Sequence, residues 1–109
     1  MSRAKGNLAE DRACVYLDEN GFMIVERNFY SRFGEIDIIA SKEEVLHFIE
    51  VKSGVDYEAA IQNITKSKLS KLIKTGNSFL KKNSLDVDFV YDAVIVTPQS
   101  VEMVENLTL

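Results

Sequence analysis

The sequence has very little of what builds cross-linked or membrane-anchored proteins. Its one cysteine, Cys14, excludes an intramolecular disulfide and a zinc cluster of several cysteines, and we predict a small core residue there. No apolar run approaches the roughly 18 residues of a membrane-spanning helix. The N-terminal segment is too polar for a secretory signal peptide. These absences predict a cytoplasmic protein that does not contact a membrane.

Histidine and proline are also scarce, with one of each. His47 lies within an apolar stretch, which favours a hydrogen-bonded structural histidine over a catalytic one. Pro98 opens a short polar turn, and no internal repeat or low-complexity linker divides the chain. With 109 residues and 46% apolar composition, the sequence predicts a single domain, 1–109, with one core.

Acidic residues outnumber basic ones, but the two are unevenly spread. The net charge of −4 argues against indiscriminate attraction to nucleic acid. Residues 59–85 nevertheless contain no acid and carry +6, leaving −10 on the rest of the chain. This basic segment could grip a phosphate backbone locally, or it could be a solvated helix face. Its six lysines are Lys66, Lys68, Lys71, Lys74, Lys81 and Lys82.

The stretch 34–52 organises the rest of the chain. Two runs rich in Ile, Val, Leu and Phe flank the polar residues 41–44, a pattern that predicts a β-hairpin with these four residues as its turn. In that register Ile38 faces His47 and Glu35 faces Glu50. A strand would normally exclude charges from its buried face, because burying an unpaired charge costs free energy.

The alternation of side chains places four charged residues on one face of the predicted hairpin. Asp37 and Glu50 become diagonal neighbours about 7 Å apart, so both carboxylates could ligate one ion. Hard cations such as Mg²⁺ prefer carboxylate oxygens, and a cation relieves the repulsion between two acids. Lys52 could then orient an attacking water or stabilise charge on phosphorus. The face comprises Glu35, Asp37, Glu50 and Lys52, and the opposite, apolar face is Ile36, Ile38, Ala40, Val45, Ile49 and Val51.

The same spacing also fits an exposed ladder of cross-strand salt bridges, because structural ion pairs occupy such positions too. Three apolar residues lie on the same side of the hairpin as the charges, namely Ile39, Leu46 and Phe48. Their presence argues that this side is at least partly covered and not fully exposed to solvent. Spacing alone leaves the metal site and the salt-bridge ladder both open.

The first helix is predicted over about 7–20, ending before Gly21. Glu10 lies on its inward stripe, which continues through Ala13, Cys14 and Leu17. An acid there could point toward the hairpin, or it could stabilise the helix dipole from the first turn. A first strand follows over 22–30 and is interrupted by Arg27 and Asn28, which could support the site or cap hydrogen bonds at the strand end.

After Lys52, Asp56 is predicted to cap a short helical turn, and Thr65 or Ser67 a longer helix. Gly76 on the inward face of that helix indicates either close backbone packing or a bend. Strands follow over 90–97 and 101–107, and we do not assign Asp92 to a metal. The strand-helix-strand crossover predicts an α/β fold with a mixed sheet flanked by helices, in the order α-β-β-β-α-β-β.

The motifs GEIDIIA and FIEVK resemble the Asp...(Asp/Glu)-x-Lys signature of the restriction-endonuclease-like nucleases. More closely, they resemble the YraN-like family of predicted bacterial endonucleases, distantly similar to archaeal Holliday-junction resolvases. The similarity extends to Ala9-Glu10, Arg27-Asn28, Lys68 and the late strand around Asp92. The sequence departs from relatives in Ile36, which replaces a proline, in Ala9, where relatives often have glycine, and in Ser53-Gly54, where relatives often have arginine after the lysine.

The resemblance implies a restriction-endonuclease-like domain that hydrolyses DNA, with branched DNA as one candidate substrate, and uses Mg²⁺ or Mn²⁺. It implies Asp37 and Glu50 as metal ligands, Lys52 as the catalytic lysine and Glu10 as an accessory acid. From the basic segment we expect DNA contacts by Lys66, Lys68 and Lys71. Analogy with junction-cutting relatives implies a homodimer. The alternative is a non-catalytic nucleic-acid-binding or adaptor module that keeps the fold and acts with a protein partner.

Overall fold

A five-stranded mixed sheet lies between helices in the computed structural model, which describes residues 3–108 and the side chains of 8–108. This confirms the predicted fold class and element order, with the predicted helical turn present as a short separate helix. Within the described residues, no helix is long and apolar enough to cross a membrane. The elements are α1 (Arg3–Glu19), β1 (Met23–Ser31), β2 (Gly34–Lys42), β3 (Val45–Ser53), α2 (Tyr57–Ile61), α3 (Lys66–Lys82), β4 (Asp88–Val96) and β5 (Val101–Val104).

The strands lie in the sheet in their order along the chain, β1-β2-β3-β4-β5. All neighbours are antiparallel except β3 and β4, which pair in parallel through the crossover formed by α2 and α3. The parallel pairing predicted from the crossover is confirmed.

Two predicted helix caps are also present. Asp56 accepts a hydrogen bond from the Ala59 N–H, and Thr65 accepts one from the Lys68 N–H.

The hairpin of β2 and β3 is confirmed, but its predicted turn and register were wrong. Ile38 pairs with Ile49, not with His47, because the turn consists of Glu43 and Glu44 alone. Both turn residues have positive φ, 51° and 67°, the backbone that a two-residue hairpin requires. The shift is two residues, and an even shift in pairing keeps Asp37 and Glu50 on a common face.

Besides a bulge between Ile24 and Glu26, the alternation of faces is interrupted opposite Asp37. Asn28 in β1 has a φ of 54°, and the pairing of β1 with β2 passes from Arg27–Ile38 to Phe29–Ile36. Alternation reverses across this left-handed residue. Ile36 therefore packs with Phe29 under α3 instead of with Ile38 under α1, which corrects its predicted placement.

Each face of the sheet has its own apolar core. Under α1 the buried residues include Ala13, Leu17 and Ile49, and Cys14 is partly buried against them. Under α3 the buried side chains are Phe29, Ile36, Ile39, Leu46, Phe48, Leu72, Phe79 and Tyr91. The charged face of the hairpin therefore continues directly into the core beneath α3.

His47 is the structural histidine that the sequence predicted. Its Nδ1 lies 2.5 Å from Oδ2 of Asp92, a fully buried carboxylate. The other oxygen of Asp92 accepts a hydrogen bond from the Asn106 N–H. The Leu107 N–H also donates to the Tyr91 carbonyl at 2.7 Å, so this segment stays against β4. The strand β5 itself ends at Val104 instead of continuing to residue 107 as predicted.

Candidate functional site

A pocket of about 360 Å³ opens at the end of the sheet where β2 and β3 separate, between α1 and α3. It contains nearly all the residues selected from the sequence, although they come from four different elements. Lys66, the first residue of α3, is exposed and outside the pocket lining. The lining includes Glu10, Glu35, Asp37, Glu50, Lys52, Lys68 and Lys71.

Asp37 is the central acid of this pocket. The pairing of β2 with β3 ends at Ile38–Ile49, and one further step in that register places Asp37 directly opposite Glu50. The Val51 N–H donates a 2.8 Å hydrogen bond to Oδ2 of Asp37. This bond fixes the carboxylate at the point where the two strands separate.

Without a bound cation, the protein disfavours the charged form of the Asp37 carboxyl. Burial raises the pKa of its carboxyl from 3.8 to about 7, and the negative charge of Glu50 adds to the rise, whereas the Val51 hydrogen bond opposes it. A cation between the two carboxylates would remove most of this penalty, because it replaces the lost hydration and cancels the repulsion.

Lys52 shares the pocket and pairs with Glu50. Its Nζ lies 3.1 Å from Oε2 of Glu50, and about a fifth of each side chain is exposed. The pair lies along β3, and both members are mostly buried, so it is not the exposed cross-strand ladder that the spacing also allowed. The ammonium group is held within the pocket.

Glu10 faces the same pocket from α1. Because the helix begins at Arg3, Glu10 is about two turns inside it, and the first-turn dipole explanation does not apply. Its Oε1 accepts a 3.1 Å hydrogen bond from Asn28 Nδ2 and lies 3.5 Å from the Arg27 guanidinium. The Glu10 side chain is only 13% exposed, so the acid is held in a fixed position.

Asn28 connects two acids of the pocket. Its Nδ2 donates to Oε1 of Glu10 and, at 3.2 Å, to Oε2 of Glu35. Asparagine tolerates the left-handed backbone better than most residues, which accounts for its presence at a φ of 54°. The sequence left open whether Asn28 supports the site or makes hydrogen bonds at the strand end, and its side chain bonds two acids of the pocket.

Replacing Asn28 by alanine should destabilise the fold by about 1–2 kcal/mol more than replacing it by glycine. Both variants lose the carboxamide, but only alanine is strained in the left-handed region. Urea unfolding of the two variants would measure the difference. Equal costs would show that the backbone of Asn28 is not the constraint.

The donor set fits a hard divalent cation. Among the described side chains, no group of three or more His, Cys, Asp or Glu residues converges on one metal position. The pocket instead offers two adjacent carboxylates, Asp37 and Glu50, and Mg²⁺ usually binds through one or two carboxylates while keeping several waters. The pocket is open to solvent on one side, which leaves room for those waters and for a phosphate.

Comparison with known proteins supports a family and a fold. The uncharacterised protein family UPF0102 matches residues 9–96. The UPF0102 proteins of Sulfurimonas denitrificans and Wolinella succinogenes are 72% and 50% identical over 109 residues, covering all of this chain and of each relative. A Helicobacter pylori relative is 54% identical over 106 residues, which is 97% of this chain and 92% of the relative.

A solved structure shares the fold. The Holliday junction resolvase Hjc of Archaeoglobus fulgidus superposes with a TM-score of 0.59 at 18% identity, covering 88% of this chain and 72% of that chain. At this identity the likeness concerns the fold. It agrees with the restriction-endonuclease-like architecture expected from the hairpin motifs.

Proposed function

The chain belongs to the uncharacterised protein family UPF0102, and from the geometry of its acidic pocket we propose that it is an endonuclease that hydrolyses phosphodiester bonds of DNA with Mg²⁺ or Mn²⁺. The observation that carries this proposal is the convergence of Asp37, Glu50 and Lys52 in one open pocket. Two carboxylates and an amine in that arrangement suit metal-assisted hydrolysis of a phosphodiester. Branched DNA is included as a substrate because the neighbour of similar fold is a Holliday junction resolvase.

Each residue has a distinct role in this proposal. Asp37 and Glu50 hold the metal. A bound divalent cation would act as a Lewis acid on the scissile phosphate and would favour deprotonation of a bound water. Lys52, already within the pocket, orients or activates the attacking water and stabilises developing charge. Glu10 assists from α1, where its hydrogen bond with Asn28 fixes its carboxylate.

DNA would be held by the basic helix beside the pocket. Lys68 and Lys71 line the pocket, so they are placed to contact phosphates next to the scissile bond. Lys66 lies outside the lining and would contact the backbone further along. Cutting both strands of a branched substrate requires two such pockets, so we propose that a homodimer of single-domain chains, 1–109, acts on it in the cytoplasm.

Lys52→Ala should lower the rate of plasmid nicking at least about 100-fold in Mg²⁺ or Mn²⁺, because the amine is lost from the pocket. Lys81→Ala removes an exposed lysine at the far end of α3 and serves as the matched control, with nicking close to wild type. Nicking by Lys52→Ala at the wild-type rate, or nicking that survives EDTA, would contradict the proposal.

A second candidate function is a non-catalytic DNA-binding or adaptor module. The observation that favours it is the 3.1 Å ion pair between Glu50 and Lys52, which satisfies each group with the other and needs no metal. Titration with Mn²⁺ separates the two functions. An enzyme must bind the ion, whereas an adaptor can bind DNA in a salt-dependent manner without metal and without cleavage.

A further inference from the structure

The turn between β1 and β2 presents an aromatic ring flanked by cations. Arg32 and Phe33 form the two-residue tip between Ser31 and Gly34. The Arg32 guanidinium carbon lies 4.8 Å from the centre of the Phe33 ring, and Lys74 Nζ on α3 lies 5.8 Å from it. Phe33 is partly exposed, and Arg32 and Lys74 are exposed. The turn therefore combines one π surface with two positive charges.

This turn is fixed to α3 by a chain of hydrogen bonds. The Phe33 N–H donates to Ser31 Oγ at 3.0 Å, and the Ser31 hydroxyl donates to Thr75 Oγ1 at 3.2 Å. Thr75 is fully buried, and its hydroxyl donates at 2.8 Å to the Lys71 carbonyl. Because each hydroxyl has a defined donor direction, the tip is oriented before any ligand arrives.

The turn is continuous with the acidic pocket. Gly34, the residue after Phe33, lines that pocket together with Lys71. A Cβ on Gly34 would lie 3.7 Å from both Lys71 Cβ and Thr75 Oγ1, so strand and helix meet closely there. Among the described residues, no carboxylate lies within ion-pairing distance of Arg32, Lys71 or Lys74. Arg32 and Lys74 contact the Phe33 ring, but none of the three charges is neutralised by a carboxylate.

Resting on the proposed action on DNA, we propose that this turn is a binding site for an unpaired nucleotide next to the scissile phosphate. The base stacks on Phe33, and its flanking phosphates contact Arg32, Lys71 and Lys74. Aromatic rings within a basic groove are the usual means of binding single strands, because every base has a π face. In a duplex those faces are covered by neighbouring bases, so the site selects frayed, gapped or branched DNA over continuous duplex.

A tryptophan substitution provides a direct test, because the chain contains no tryptophan of its own. Phe33→Trp keeps an aromatic ring at the tip and introduces a single fluorophore. In EDTA, where cleavage is suppressed, titration with a single-stranded oligonucleotide at low salt should quench its emission. A blunt duplex of the same length should quench it at least about tenfold less effectively.

Phe89→Trp is the matched control, because Phe89 is an aromatic residue of β4 that is 44% accessible and whose ring contacts Phe48 and Tyr91, away from the β1–β2 turn. Its emission should stay unchanged by the oligonucleotide. Binding of a labelled oligonucleotide, followed by anisotropy, should weaken about tenfold in Phe33→Ala and also in Phe33→Leu, which keeps apolar volume in the turn. Lys74→Ala should reduce the slope of log affinity against log salt by about 0.7.

The outcomes separate this site from the proposed function as a whole. Tight binding of single strands with no quenching in Phe33→Trp would overturn the site while leaving DNA binding intact. Equal quenching by single strands and duplex would overturn its selectivity for unpaired nucleotides. Absence of binding to any DNA would remove the site and the nuclease proposal together, whereas binding and quenching without cleavage in Mn²⁺ would support the site and contradict only the enzyme.

Discussion

Asp37→Asn should abolish DNA nicking and at the same time stabilise the metal-free protein above pH 7. The carboxyl of Asp37 has its pKa raised by burial from 3.8 to about 7. The folded protein binds a proton at Asp37 more tightly than the unfolded chain does. The resulting gain in the free energy of unfolding is fully present below about pH 4 and is lost as the pH rises through about 7. Asparagine never ionises and can still accept the Val51 hydrogen bond, so the variant should gain at least about 2 kcal/mol at pH 8, each pKa unit being worth about 1.4 kcal/mol.

Urea unfolding at pH 4 and pH 8 in EDTA measures this gain, and a plasmid assay measures an expected loss of nicking of at least about 100-fold. Asp18→Asn, at an exposed position on α1, is the matched control and should change neither quantity. Mg²⁺ or Mn²⁺ should raise the melting temperature of the wild type but not of Asp37→Asn, since only the folded wild type binds the ion. A variant less stable than wild type at pH 8 would contradict the electrostatic account of the pocket.

The sequence predicted which residues share a face more reliably than which residues pair. Four polar residues in a row, 41–44, suggested a four-residue turn, whereas Ser41 and Lys42 continue β2 and only Glu43 and Glu44 turn. Two-residue turns are recognised by Asn-Gly or Asp-Gly, and two glutamates at positive φ carry no such signal. The predicted pairing was wrong by two residues, which is an even number, so Asp37 and Glu50 still lie on the same side of the hairpin.

Other errors came from assuming regular elements. Alternation predicted Ile36 on the same face as Ile38, but the faces reverse at the left-handed residue Asn28, and no periodicity rule anticipates one such residue. The position of Glu35 beside Asn28 depends on the same reversal. The residue pattern alone left the role of Glu10 open, because its interpretation depended on where α1 begins.

Gly76 determines how closely α3 approaches the sheet, and the sequence left open whether it marked a bend or close packing. It is buried, and a Cβ there would lie 2.7 Å from both Cε1 and Oη of Tyr91 and 3.1 Å from Cδ2 of Phe48. Tyr91 cannot readily move aside, because its ring stacks on Phe48 and its hydroxyl donates a 3.1 Å hydrogen bond to the Ile73 carbonyl. Gly76 therefore marks close packing.

Gly76→Ala should destabilise the protein by about 2–3 kcal/mol, although alanine is the better helix former by about 1 kcal/mol. The steric cost exceeds the gain in propensity because the neighbouring rings are fixed on both sides. Asn77→Ala, the next residue on the exposed face of the same helix, isolates the propensity term and should be neutral or slightly stabilising. Chemical denaturation of both variants measures the contrast. If Gly76→Ala were as stable as Asn77→Ala, α3 would be free to shift on the sheet, and Lys68 and Lys71 would not be held at fixed positions beside the acidic pocket.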